Sequence, residues 1–136
     1  MSILGGEEMA PVAVVTALIL IEYLVFSILV GRARVLSKID APATTGDPVL
    51  ERYFRVQQNT LERMAAVLPA MWLFALYVSP PGAAGVGLVF LVARIIYLRA
   101  YVSDPAKRGA GFGLGVLAEA VLLLGALGGA GFAWLG

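Results

Sequence analysis

The chain has 136 residues, 60% of them hydrophobic and 14% charged, with a mean hydropathy of +0.90. A soluble domain carries roughly 25% charged residues, so lipid is the natural solvent for this much apolar surface. The net charge of +1 leaves no electrostatic footprint for nucleic acid, and the lack of Cys and His excludes disulfides, a cysteine nucleophile, histidine-ligated haem and the usual zinc sites.

The opening Met1-Ser2-Ile3-Leu4-Gly5-Gly6-Glu7-Glu8 lacks the positive segment of a cleaved leader, so the first apolar run is read as a retained helix. That run, Met9 to Val30, is long enough to span a bilayer at about 20 residues per crossing. A polar connection with Arg32, Arg34, Lys38 and Asp40 follows, ending in a stretch punctuated by Pro and Gly. Val49 to Arg63 is charged and rich in amides, whereas Met64 to Val78 is apolar. Joined, the two halves form one helix with a polar beginning, in which Pro69 is tolerated as a kink. Ser79-Pro80-Pro81-Gly82 reads as a tight turn, Ala83 to Val102 as a third span, and Asp104-Pro105 as a helix start. Gly109 to Leu135 is the fourth span, where Gly125, Gly128, Gly129 and Gly131 point either to close helix packing or to ordinary glycine tolerance. The expected architecture is an all-α, integral membrane four-helix bundle. It forms a single domain over 1–136, with helices at about 9–36, 49–78, 82–102 and 105–135.

All ten Lys and Arg residues lie between Arg32 and Arg63 or between Arg94 and Arg108. The positive-inside rule then puts the first and third connections in the cytoplasm and both termini outside it. Glu22, Glu62, Arg63, Arg94, Arg99 and Glu119 fall in or beside spans. Each costs roughly 2.5–3.5 kcal/mol at a helix centre unless paired, snorkelling or in a polar cavity. Arg63 and Arg99 are placed to snorkel, and Glu22 reads as a buried partner for an arginine or as a functional carboxylate. Arg52, Arg55, Asn59 and Glu62 share one helical face; so do Arg94, Tyr97 and Tyr101, with Arg108 a turn further on. These faces meet either as an ion-pair network that holds the bundle or as a pocket. Arginine forks clamp carboxylates, Glu62 can receive an ammonium, and Gln57 and Asn59 can satisfy peptide groups. Such a set suits a small, zwitterionic, peptide-like anion.

The run Glu51-Arg52-Tyr53-Phe54-Arg55-Val56-Gln57-Gln58-Asn59-Thr60-Leu61-Glu62 resembles the E-R-x-x-R-x-Q-x-N-x-x-E segment of the MAPEG family, the membrane-associated proteins of eicosanoid and glutathione metabolism. Thr44-Thr45-Gly46 before it, and Ala93-Arg94-Ile95-Ile96-Tyr97-Leu98-Arg99-Ala100-Tyr101 with Arg108 seven residues later, extend the likeness along the whole chain. The resemblance implies a homotrimer that binds glutathione between neighbouring subunits as a co-substrate, with no metal. By position, Arg55, Asn59, Glu62, Arg94, Tyr97 and Tyr101 would line the site, and Arg32 and Gln57 would come from the adjacent subunit. Arg108 matches the arginine that activates the thiol in the leukotriene C synthase branch, where a tyrosine stands in place of Arg63. The implied activity is glutathione transfer to hydrophobic electrophiles in detoxification, accompanied by glutathione-dependent peroxidase activity, at a site near the cytoplasmic face. Two alternatives remain at this level. One is a small multidrug-type transporter built on Glu22; the other is a non-catalytic membrane protein with this fold.

Overall fold

The computed structural model describes residues 6–136; the reading of the first five residues as lacking a leader's positive segment lies outside them. The described chain is helical, in the order α1 (Gly6–Ser37), α2 (Pro48–Tyr77), α3 (Pro80–Ser103), a single 3₁₀ turn (Pro105–Lys107) and α4 (Gly109–Leu135). Three of these segments, α1, α3 and the stretch Pro105–Leu135, are long and apolar enough to cross a membrane. The polar first half of α2 sets it apart, although α2 runs unbroken through Pro69.

The helix starts follow from local chemistry. Asp47 caps α2 by accepting from Leu50 N at 3.0 Å, with Pro48 in the first turn, where its missing N–H costs nothing. Ser79 caps α3 in the same way, accepting from Gly82 N at 3.0 Å. Pro80, Pro81 and Gly82 therefore belong to the first turn of α3, and not to a loop as the sequence reading had it. Asp104 accepts from Ala106 N and starts the 3₁₀ turn, so α4 begins only at Gly109.

Within the bundle, α2 and α3 each pack against every other helix, leaving α1 and α4 on the flanks. α1 buries Val12, Val15, Ile19, Glu22, Phe26, Val30 and Ala33, a stripe at three- and four-residue spacing, while Val14, Leu18, Ile21, Leu24 and Ile28 point outward. An outer surface this apolar belongs against acyl chains, where van der Waals fit rather than water exclusion holds helices together. The main core joins α1, α2, α3 and α4 around Ile19, Val67, Met71, Phe90 and Leu122. Trp72 Nε1 donates to Thr16 Oγ1 at 3.0 Å, which satisfies the indole within this apolar setting.

The α4 glycines divide by face. A Cβ at Gly129 would come within 2.7 Å of the Tyr77 carbonyl oxygen, and one at Gly125 would collide with the Phe74 ring. Gly128 and Gly131 face open space, so only two of the four glycines predicted to pack do so. Gly111 is tighter still, because a Cβ there would lie 2.6 Å from the backbone nitrogen of Tyr97. α4 can lie this close to α3 only with glycine at that point, and the close approach brings Arg108 to the end of α3.

Candidate functional site

At one end of the bundle the first half of α2, the last turns of α3 and the start of α4 come together. Arg52 Nη1 donates to the Val102 carbonyl at 2.9 Å. It thereby satisfies one of the carbonyls that α3 leaves free at its C-terminus and complements the negative end of that helix. Deeper in, Arg94 of α3 is 1% exposed. Its Nε and Nη2 donate to Thr60 Oγ1 at 3.2 and 2.8 Å, and Nη2 also donates to Asn59 Oδ1 at 2.9 Å. Its Cζ lies 4.1 Å from the centre of the Tyr97 ring, within cation–π range. Tyr97 in turn packs at 5.5 Å on Tyr101 and at 6.4 Å on Phe112 of α4. One arginine therefore fixes two walls, Asn59 on α2 and Tyr97 on α3.

Those walls enclose a cavity of about 390 Å³, lined by Arg55, Asn59, Glu62, Tyr97, Tyr101 and Arg108. A neighbouring cavity of about 440 Å³ shares Asn59, Tyr97 and Arg108 and continues over Ala106, Gly109 and Phe112. Arg108 stands where the two meet. Its Nη1 donates to the Pro105 carbonyl at 2.9 Å, which anchors an otherwise exposed side chain. The positive end of α4 begins at the next residue and adds to the field of this guanidinium. The site thus offers two exposed guanidiniums, two phenols, an amide and a carboxylate, with a cation at the junction of two chambers.

Six of the nine residues singled out in the sequence line this cavity, and three stand elsewhere. Arg94 lies behind the wall, buried against Thr60 and Asn59. Gln57 turns toward α1, donating to Ser27 Oγ at 2.9 Å, because it is about 200° around the helix from both Arg55 and Asn59. Arg32, near the end of α1, lines a separate cavity of about 350 Å³ with Leu29, Ala33, Leu36, Asp47 and Tyr53. Sequence reasoning missed Thr60 and Phe112. Thr60 follows Arg52 and Val56 at i+4 and i+8, yet an uncharged hydroxyl gives little signal there. Phe112 is one turn past Arg108, where an aromatic residue reads as lipid-facing.

Two other charged groups lie within the bundle. Arg63, expected to snorkel, instead pairs with Glu119 of α4, Nη1 to Oε2 at 3.3 Å, with the side chains 34% and 13% exposed. Glu22 of α1 is 7% exposed, and neither of its oxygens has a hydrogen-bond partner among the described residues.

The fold and the site together describe an integral membrane helical bundle with a polar chamber at one end. The family model for MAPEG matches residues 12–128, and the chain belongs to the MAPEG family. It is 49% identical over 115 residues to the uncharacterized protein sll1147 of Synechocystis, covering 85% of this chain and 84% of that one. It is 40% identical to microsomal glutathione S-transferase 2 of Homo sapiens over 76% of this chain and 71% of the relative. With leukotriene C4 synthase of Cavia porcellus it shares 36% identity, over 75% and 68% of the two chains.

Proposed function

We propose that the protein is a membrane glutathione transferase, with glutathione as co-substrate and a hydrophobic electrophile as acceptor. The observation that carries this reading is the convergence of Arg55, Asn59, Glu62, Tyr97, Tyr101 and Arg108 on one cavity. Glutathione presents two carboxylates, an ammonium, two peptide groups and a thiol. Arg55 offers a fork for a carboxylate, Glu62 a partner for the ammonium, and Asn59 and the tyrosines donors and acceptors for the peptide groups. Family membership, with two curated relatives named for glutathione transfer and leukotriene C4 synthesis, supports the same reading.

Arg108 is the catalytic residue of this proposal. The thiolate is the nucleophile, and a free thiol has a pKa of about 8.5. Lowering that value by about two units takes roughly 2.7 kcal/mol of preferential stabilisation of the anion, within reach of a guanidinium beside the sulfur once substrate displaces water. The thiolate then attacks the electrophilic carbon, the carbon–sulfur bond forms, and the leaving group departs with its electron pair. Reduction of hydroperoxides by the same thiolate is the accompanying activity. The proposed assembly is a homotrimer in which Arg32 and Gln57 of a neighbouring copy close the site, since both point away from the cavity of their own chain. The site end of the bundle is assigned to the cytoplasmic face on the distribution of Lys and Arg.

The test is transfer of glutathione to a chlorinated dinitrobenzene by detergent-purified protein, run beside Arg108→Ala. The expected result is a kcat lower by about 10²–10³-fold, with the glutathione-induced rise in melting temperature kept. A parent protein that neither turns over nor gains stability from glutathione would overturn the proposal.

A further inference from the structure

Arg94 is a buried cation whose hydrogen-bond partners, Asn59 and Thr60, are neutral. Such a charge is costly unless an opposite one stands near. Arg63, on the adjoining helix, acts on Arg94 with the same sign, and its carboxylate partner Glu119 is already engaged. Glu22 supplies the opposite sign. It lies on the inward stripe of α1, is buried, and interacts electrostatically with Arg94 without a hydrogen bond between them. Each helix thus contributes one buried or half-buried charge: Glu22 from α1, Arg63 from α2, Arg94 from α3 and Glu119 from α4. The set is neutral in sum.

We infer that Glu22 is a positioning residue for the cavity: its carboxylate holds the Arg94 guanidinium in the seat from which Arg94 fixes Asn59 and Tyr97. Without that negative charge, the guanidinium is driven from its seat by Arg63 and drawn toward Glu62 in the cavity wall, and the two walls lose their common anchor. Glu22 touches neither the cavity nor its contents, so its effect passes through ground-state binding and not through the reacting atoms. Glu119 does the corresponding work for Arg63, which has no hydrogen bond to the cavity wall.

This inference rests on the glutathione reading for its kinetic arm, and a second arm is independent of it. In the conjugation assay, Glu22→Gln should raise KM for glutathione by about ten-fold with kcat changed by less than about two-fold. Glu22→Asp should recover most of the loss, and Glu119→Gln should lower the melting temperature without moving KM. In the protein without glutathione, isotope-labelled arginine NMR should show the Arg94 Nε proton protected from exchange in the parent and in Glu119→Gln, and unprotected in Glu22→Gln. If Glu22→Gln leaves KM and the Arg94 signal unchanged, or if Glu119→Gln moves both equally, the inference is overturned. A parent that fails to bind glutathione sinks the functional reading alone, and the Arg94 signal still decides the role of Glu22.

Discussion

Thr60 is a small residue with a large task. Its hydroxyl accepts from both Nε and Nη2 of Arg94 in a fully buried setting. Hydrogen bonds to charged groups contribute roughly 1.5–3 kcal/mol. Thr60→Val should therefore destabilise the protein by about that amount, read by thermal denaturation in detergent, whereas Thr60→Ser should remain near the parent. The Arg63–Glu119 pair differs because Arg63 is one-third exposed and one of its nitrogens is unsatisfied among the described residues. A double-mutant cycle with Arg63→Met and Glu119→Gln should give a coupling of roughly 0.5–3 kcal/mol, with the double variant no less stable than Glu119→Gln alone. The charged motif of α2 showed which residue types meet at the site, and Arg55, Asn59 and Glu62 do share a face as their spacing predicts. Spacing within one helix could not show that Arg94 turns into the bundle, since that depends on where the Thr60 hydroxyl of another helix lies. Arg63 was misread for the same reason: its partner is 56 residues away on α4.

Among the helices, the start of α4 decides whether the cavity exists. The approach of α4 to α3 at Gly111 leaves no room for a methyl group beside the Tyr97 backbone, whereas Gly113 faces open space. Overpacking of this kind costs about 1–3 kcal/mol. Gly111→Ala should lower the melting temperature and reduce turnover together, because Arg108 and Phe112 move with the helix, and Gly113→Ala should change neither. The number and order of helices were legible from apolar runs and breakers, since length and composition alone decide what a bilayer accepts. Helix ends were less so. Pro80-Pro81-Gly82 looks like a loop until Ser79 is seen accepting from Gly82 N, which turns the same residues into a helical first turn. The packing role of the α4 glycines was only half legible, because position along a helix does not say which side meets a neighbour.

At the scale of the molecule, α1 is 32 residues long, about 48 Å at 1.5 Å per residue. That exceeds a hydrocarbon core of about 30 Å, so the end bearing Arg32 and Arg34 stands clear of the acyl chains, level with the start of α2. The sequence contains no cysteine, and single cysteines can therefore report the proposed orientation without a background. Thr44→Cys and Ser103→Cys should react with a membrane-impermeant maleimide only from the cytoplasmic side, and Trp134→Cys only from the opposite side; the reverse pattern would invert the assignment. The outward direction of Arg32 and Gln57 has a genetic consequence under the proposed assembly. If every site takes residues from two copies, a chain crippled by Arg32→Ala and one crippled by Arg108→Ala damage opposite halves of it. Each is inactive alone, yet mixed trimers would contain some sites built from two intact halves, so co-expression should restore part of the activity that neither allele has by itself.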